Sequence, residues 1–307
     1  MAFNDRTYKS IFSFREIISP FIKRFAPADI ASHLDYSSLR IVDSVTQTDT
    51  MHELLADRIW VANIGASSTM LFMFFEFQSA PYKWMAVRVA EYVASNLGRM
   101  IQSGVITKSL PPTLAFVLYN GNAKWICPLS LDELRDSNTP ESLLDNQLNI
   151  KYMLIDMKHM NAGCKDTLVD LMLHLEQATD AEKFDELIYD AEEIFKNLDI
   201  DPDLRIKLIR VFSFYIALVM NNILGEKEFS QKIENFGDLH MAIDEYKTWV
   251  ERKFDEGLSQ GKIEGKNEVI RNLMKNLGFS REQAIDAMGI PASERAYYMS
   301  NSNLGVS

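Results

Sequence analysis

Two carboxylates and an amide lie on either side of a short turn sequence in the first third of the chain. Asp57 precedes the turn at residues 65–68 (Gly-Ala-Ser-Ser), and Glu76 and Gln78 follow it. A symmetric turn between antiparallel strands sets Asp57 directly opposite Glu76, where like charges about 4.5–5.5 Å apart repel each other. A hard divalent cation, Mg²⁺ or Mn²⁺, would compensate them, because both ions prefer oxygen ligands. A one-residue change of register would remove this juxtaposition.

Such a metal site suits phosphodiester hydrolysis. A bound divalent ion lowers the pKa of a water molecule and stabilises the negative charge that develops on phosphate oxygens. Asp57 and Glu76 are the predicted metal ligands and catalytic residues, and Gln78 is predicted to orient the attacking water or a phosphate oxygen. The alternative on spacing alone is structural: Asp57 pairs with Arg58 or Arg88, and Glu76 only ends a core strand.

The elements that must position these residues follow from the hydrophobic periodicity. Asp5 predicts an N-cap for a first helix that extends to Phe25, with a kink or interruption at Pro20. The strand over residues 69–78 is apolar on both faces, which is typical of a central strand in a covered sheet. Other elements are predicted around it: strands at residues 39–46, 54–64, 113–119 and 151–157, and a helix at residues 83–102.

After residue 160 only helical patterns occur. They cover residues 166–178, 181–197, 203–224 and 240–277. The predicted fold is therefore an α/β N-terminal domain with a mixed sheet between helices, followed by an all-helical C-terminal region. We expect three parts: a domain over residues 1–160, a helical region over residues 161–250 and a helical tail over residues 251–307.

The tail combines unfavourable glycines with clear helix boundaries. Gly257, Gly261 and Gly265 recur every four residues in a helical pattern, and each costs about 1 kcal/mol relative to alanine. This predicts either a weak helix or the close approach of a partner helix, and the second alternative implies a homo-oligomer formed through the tail. Ser280 and Gln283 form a capping-box pattern that begins two short helices. Their arrangement favours a helical hairpin over a helix-turn-helix, because the tail has few basic residues.

The charge distribution restricts where nucleic acid could bind. The net charge is −11, but residues 1–160 carry 15 basic and 16 acidic side chains, against 17 and 27 in residues 161–307. The nearly neutral first part therefore permits phosphate contacts. Only Cys127 and Cys164 occur, which excludes a disulfide framework and suits a reducing cytoplasm. The longest apolar run, residues 211–220, is shorter than the roughly 20 residues of a membrane span, so it predicts a buried helix segment and no membrane association.

Several short motifs follow one another in a fixed order: Asp5…Tyr8-Lys9…Phe12, Ala56-Asp57, Phe75-Glu76-Phe77-Gln78-Ser79, Arg88…Tyr92, Val117-Leu118-Tyr119-Asn120-Gly121 and Tyr152-Met153-Leu154-Ile155-Asp156. Their order and spacing resemble the Rpn family, the recombination-promoting nucleases or transposase-like proteins. The resemblance implies a restriction-endonuclease-like PD-(D/E)xK fold and a Mg²⁺-dependent DNA endonuclease. It assigns Asp57 to the motif aspartate, Glu76 to the acidic member and Gln78 to the position usually held by lysine.

The resemblance also implies two further charged contributors. Glu16 on the first helix lies where PD-(D/E)xK folds often place an additional acidic metal ligand; the alternative is a solvated helix charge. Lys83, at the start of the helix that follows the central strand, could supply the ammonium group that Gln78 lacks.

Arg88 and Tyr92 lie four residues apart on that same helix, so they share one face. Both could contact phosphate and thereby bind DNA. The alternative is that Arg88 neutralises Glu76 or Asp57.

The sequence therefore predicts a metal-dependent DNA endonuclease in the cytoplasm, with a role in recombination or mobile-element biology implied by the resemblance. An alternative from another class is a catalytically weak or inactive relative that acts as a DNA-binding or protein-interaction module. Gln78 in place of lysine and the overall acidity favour that alternative.

Overall fold

The strand that is apolar on both faces is the middle strand of a five-stranded sheet. The computed structural model describes residues 2–42, 58–65, 69–225 and 233–300. The strands follow one another across the sheet in chain order: β1 (Leu34–Ile41), β2 (Arg58–Ile64), β3 (Thr69–Gln78), β4 (Thr113–Tyr119) and β5 (Met153–Asp156). β1, β2 and β3 are antiparallel neighbours, whereas β3, β4 and β5 are parallel. The sheet is mixed, as predicted.

The register between β2 and β3 is the one predicted from a turn at residues 65–68. The pairs run from Arg58 opposite Phe75 to Ile64 opposite Thr69 without interruption. Asp57, the residue before this ladder, lies outside the described residues. The predicted register of β2 and β3, which would set Asp57 opposite Glu76, is therefore confirmed. The position of Asp57 itself stays a prediction.

The two faces of the sheet are covered by helices from different parts of the chain. On one face, α4 (Met85–Gln102) packs Met85 and Val89 into a cluster with Phe74 of β3. On the other face lie α1 (Ala2–Ile11) and α2 (Arg15–Phe25), and the short helix α3 (Ala28–His33) packs against α2. There the rings of Phe21 and Phe116 are 5.2 Å apart. This double coverage explains why β3 carries apolar residues on both sides.

The prediction of a single first helix is wrong. α1 already begins at Ala2, so Asp5 lies inside it and is not an N-cap. The helices α1 and α2 are separated at residues 12–14, where the hydroxyl group of Ser13 donates to the carbonyl oxygen of Lys9 at 2.6 Å. Serine competes in this way for backbone partners, which favours a helix end. Pro20 lies within α2 and does not interrupt it.

The strand predicted at residues 39–46 is displaced. β1 spans Leu34–Ile41, and residues 43–46 lie outside the described residues. Its exposed positions alternate irregularly because the register with β2 shifts between Asp35 and Arg40. An irregular ladder weakens the period-two pattern from which strands are predicted.

Three helices follow the sheet: α5 (Leu168–Glu176), α6 (Ala181–Asn197) and α7 (Pro202–Leu224). α5 packs against α2 and α7 against α1, whereas α6 packs against α5 and α7. Arg24 of α2 pairs with Asp170 of α5. Among the described residues, α7 alone is long and apolar enough to cross a membrane by length and composition. Phe212, Tyr215 and Ile216 of α7 are fully buried, which agrees with the prediction of a buried helix segment.

The chain divides into two compact units, residues 1–243 and 244–307. The helix α8 (Phe236–Leu277) is followed by α9 (Arg281–Ala287) and α10 (Ala292–Ser300). The capping box of Ser280 and Gln283 is confirmed, and Ile270, Ile285 and Tyr298 form a small core of the second unit. The three-part division at residues 160 and 250 stays a prediction.

The three tail glycines all lie inside α8. A Cβ atom added at Gly257, Gly261 or Gly265 would meet no described atom within 4 Å. The described chain therefore supplies no helix that approaches these positions closely.

Candidate active site

Glu76 is the carboxylate carried by the central strand, and only 1% of its surface is exposed. It follows five apolar residues of β3, from Leu71 to Phe75, that are also buried. Side chains alternate along a strand, so Glu76 shares with Phe74 the face covered by α4. A buried charge costs several kcal/mol unless it is paired. The position of Glu76 in the fold therefore requires a compensating group.

Arg88 and Gln78 supply that compensation. The guanidinium Nη2 of Arg88 lies 2.7 Å from Oε1 of Glu76, and the amide Nε2 of Gln78 donates to the same oxygen at 2.9 Å. Arg88 belongs to the first turns of α4, and its side chain is 48% exposed. The pair thus joins a fully buried carboxylate to a cation that reaches solvent. A guanidinium has five N–H donors in all, so Arg88 is suited to bind an anion in addition to Glu76.

The carboxyl ends of the parallel strands meet at the edge of the sheet that carries Gln78. Tyr119 at the end of β4 is its register partner, and the next amide, that of Asn120, donates to the carbonyl oxygen of Gln78 at 3.1 Å. A Cβ atom on Gly121 would lie 2.5 Å from the carbonyl oxygen of Ser79. Glycine is therefore required here, and the Asn-Gly turn holds the end of β3 in place.

The same edge continues into β5. Asp156 is the register partner of Tyr119, and its Oδ1 lies 2.7 Å from Nδ1 of His159. The backbone N–H of Trp125 is directed at the other carboxylate oxygen at 3.4 Å. β3 and β5 are separated by one strand, or about 10 Å between backbones. Asp156 therefore belongs to a neighbouring part of the edge rather than to the pair of Glu76 and Arg88.

Behind this edge lies a buried hydrogen-bond network that no sequence pattern predicts. Glu176 of α5 accepts hydrogen bonds from the hydroxyl groups of Tyr8 and of Tyr215, the latter at 3.0 Å. Asn120 donates to the hydroxyl oxygen of Tyr8 at 3.0 Å, and the ring of Tyr8 stacks on Phe77 at 5.4 Å. The network therefore links α1, α5 and α7 to the ends of β3 and β4. In the sequence, Tyr8 and Asn120 occur in the short motifs that resemble the family. No local pattern around Glu176 predicts that it is buried or that it contacts them.

Burial controls the protonation of this network. Burial raises the pKa of the Glu176 carboxyl above its usual value, and hydrogen bonds from Tyr8 and Tyr215 offset this only in part. Burial and the neighbouring Glu176 also hold the pKa values of Tyr8 and Tyr215 well above their usual range. Burial thus shifts Glu176 towards its protonated form relative to an exposed carboxyl group, whereas Glu76 has a cation beside it.

The other predicted binding residues lie in different surroundings. Tyr92 is buried in the core between α4 and the sheet, with its ring 6.2 Å from that of Phe74. Lys83 is exposed just before α4, with its Nζ atom 5.0 Å from the centre of the Trp84 ring. Arg88 contacts Glu76, which is the neutralising role given as an alternative. Contacts of these three side chains with a substrate stay predictions.

The described residues offer part of a donor set for a hard divalent cation. Glu76 supplies a carboxylate, which suits Mg²⁺ or Mn²⁺, whereas Gln78 turns its amide nitrogen rather than its oxygen towards that carboxylate. Glu16 lies half-buried in the first turn of α2. Within the ranges that the structure describes, no group of three or more His, Cys, Asp or Glu side chains is placed to hold a metal ion. Because Asp57 lies outside those ranges, the predicted ligand set stays a prediction.

Comparison with known proteins identifies the family. The model of a family described as "Putative transposase, YhgA-like" matches residues 3–205. The match covers more than half of the chain and includes the whole sheet, α4 and the residues around Glu76. No solved structure matches the chain. The chain therefore belongs to the YhgA-like putative transposase family, the Rpn-type family that its motifs resemble.

Proposed function

We propose that this protein is a metal-dependent endonuclease that hydrolyses phosphodiester bonds in DNA and acts in the cytoplasm. Its family supports a transposase- or nuclease-type role. The observation that carries the proposal is the buried carboxylate of Glu76 at the end of the central strand, beside the half-exposed cation of Arg88. A mixed sheet that presents an acidic side chain beside an anion-binding cation is suited to the chemistry of phosphate esters.

The proposed roles follow from these contacts. Asp57 and Glu76 are the proposed ligands of Mg²⁺ or Mn²⁺, with Glu16 as an additional candidate. When bound, the ion would lower the pKa of a water molecule and stabilise charge on the phosphate oxygens. The Gln78 amide nitrogen donates to Glu76, so its amide oxygen is directed away from that carboxylate and could accept a hydrogen bond from water. Arg88 is proposed to hold a phosphate oxygen with donors that Glu76 does not use.

A second candidate function is that of an inactive relative that binds DNA or another protein. One observation favours it: Arg88 compensates Glu76 within the protein itself, so the buried carboxylate does not require a metal ion for stability. Glutamine at position 78 also leaves the lysine position of related folds without an ammonium group. The two candidates differ in one property, because only the nuclease needs a divalent ion.

The experiment that separates them is nicking of supercoiled plasmid by the purified full chain in Mg²⁺, in Mn²⁺ and in EDTA. The variants Asp57→Ala and Glu76→Ala test the proposed ligands. Glu91→Ala is the matched control, because Glu91 is an exposed acid on α4 with no proposed role. Circular dichroism establishes that each variant is folded.

Metal-dependent nicking that both ligand variants lose and Glu91→Ala retains would support the nuclease. Nicking that persists in both ligand variants would contradict the proposed site. If the wild-type protein does not nick in either metal but retards DNA in a gel, the inactive DNA-binding relative is the better account.

We also propose that the tail forms a homo-oligomer. The surface of α8 around Gly257, Gly261 and Gly265 is open to the approach of another helix. The molar mass measured by light scattering tests this with Gly261→Leu, which would block close approach. A monomeric wild-type protein at all concentrations would contradict the proposal.

A further inference from the structure

Two large aromatic side chains are exposed next to the proposed active site. They lie in the segment that joins β3 to α4, where Tyr82 is 44% and Trp84 is 48% exposed. The chain has four tryptophans, and both Trp60 and Trp125 are buried. Exposed tryptophan is unusual because its large apolar surface is stabilised by burial. Two such rings within three residues, in the segment that leads from Glu76 to Arg88, form an exposed aromatic surface that is suited to contact a ligand.

The backbone that carries the rings is held firmly. The N–H of Met85 donates to the carbonyl oxygen of Tyr82 at 3.0 Å, and the N–H of Arg88 donates to that of Trp84 at 3.0 Å. Met85 and Ala86 directly follow and are fully buried against the sheet. The two rings therefore lie in a hydrogen-bonded turn directly before α4, and such a turn lowers the entropic cost of binding.

Two cations lie close to the rings in the sequence. Lys83 lies between them in sequence, with its Nζ atom 5.0 Å from the centre of the Trp84 ring. Arg88 lies four residues beyond Trp84, about 6 Å along a helix axis, and contacts Glu76. Lys83 and Arg88 are the charged residues between Glu76, which pairs with Arg88, and Glu91, which is exposed on α4. This segment is suited to an anion with exposed aromatic faces.

We infer that Tyr82 and Trp84 stack on unpaired bases of a DNA strand whose backbone is held by Lys83 and Arg88. Aromatic side chains stack on any unpaired base, whereas the base faces of a duplex are already occupied by neighbouring bases. The cations supply the electrostatic part of single-strand binding. The preferred substrate is therefore single-stranded or locally unpaired DNA. This inference rests on the proposed function only where it places the scissile bond near Glu76. Binding of the single strand does not depend on that function.

Binding is tested without catalysis, by fluorescence anisotropy of a labelled 20-nucleotide strand in EDTA. The same strand in a blunt duplex is the second probe. We expect tighter binding of the single strand. Tyr82→Ala and Trp84→Ala should each weaken that binding by at least about fivefold and affect duplex binding less. Tyr297→Ala is the matched control, because Tyr297 is as exposed as Trp84 and lies in α10, outside the segment that matches the family.

Tryptophan fluorescence provides an independent measurement on the same samples. Stacking on a base should quench Trp84, so saturating single strand should reduce the emission of the wild-type protein. Trp84→Phe should keep most of the affinity, since phenylalanine also stacks, but lose the quenching. This conservative variant separates a stacking role from a loss of folding.

Failure of the inference and failure of the proposed function give different results. Equal affinity of the wild-type protein for the two probes, or unchanged affinity in both alanine variants, would overturn the aromatic platform even if plasmid is nicked. Weakened single-strand binding in both alanine variants would support the platform even if no metal ion yields cleavage.

Discussion

Two buried glutamates show how the same side chain serves different purposes in this fold. Glu76 is paired with Arg88, which reaches solvent, whereas Glu176 is enclosed by Tyr8 and Tyr215. Both carboxyl groups are at most 5% exposed. A neighbouring cation stabilises the charged form of a carboxyl group. Where the partners are neutral hydroxyl groups in a closed site, burial has the larger effect on the pKa and raises it. The first arrangement is suited to contact with a ligand, and the second joins helices to the sheet.

The largest expected effect separates the two acids by activity. Glu76→Gln should lower metal-dependent DNA cleavage at least about 100-fold, because it removes a proposed metal ligand while keeping the size of the side chain. Glu176→Gln should leave cleavage largely unchanged, since the network lies behind the edge of the sheet. Initial nicking rates of both folded variants measure this. A comparable loss of the nicking rate in both variants would contradict the different roles assigned to Glu76 and Glu176.

The next effect is on stability and concerns the ion pair. Arg88→Ala should lower the free energy of unfolding by about 1–3 kcal/mol, because it removes the guanidinium group that lies 2.7 Å from the buried carboxylate of Glu76. The value is below that of a fully buried pair because Arg88 is half exposed. Urea unfolding of Arg88→Ala, Glu76→Gln and the double variant forms a mutant cycle. Additive effects would show that the two residues are not coupled.

The pH dependence sharpens the contrast for Glu176. Burial raises the pKa of its carboxyl above the usual value of 4.5, so the folded state binds its proton more tightly than the unfolded state does. Its contribution to stability is then complete below pH 4.5 and is lost as the pH rises through the folded pKa, with a slope of at most about 1.4 kcal/mol per pH unit.

Glu176→Gln removes this titrating group. Measured by urea unfolding from pH 4.5 upward, the stability of the variant relative to the wild-type protein should increase with pH. A constant difference across that range would mean that the pKa of Glu176 is the same in both states.

The smallest expected effect tests a single bond of the network. Tyr215→Phe removes the hydroxyl group that donates to Glu176 at 3.0 Å and also lies 3.4 Å from the carbonyl oxygen of Met172, and it should cost about 1 kcal/mol of unfolding free energy. Tyr189→Phe is the control, since Tyr189 is an exposed tyrosine of α6. Thermal unfolding followed by circular dichroism measures both. An equal effect of the two substitutions would argue against a specific role for the Tyr215 hydroxyl.

Much of the sheet could be predicted because its signals are local. Residues 69–78 are apolar on both faces, and the structure makes them the central strand β3 with the predicted bounds. The turn at residues 65–68 predicted the register of β2 and β3, since a hairpin turn fixes which residues are opposite each other. The break between α1 and α2 was missed because the hydroxyl of Ser13, not the more conspicuous Pro20, ends the first helix.

The sequence by itself determined the mixed α/β core, the helical region after it and the place of Glu76 on the central strand. It left open whether Arg88 binds phosphate or neutralises Glu76, and only the tertiary structure brought those two side chains together. The Glu176 network was beyond reach, because Tyr8 and Glu176 are 168 residues apart. Periodicity and turn chemistry act over a few residues, whereas the pairing of buried polar groups is decided by which distant elements pack together.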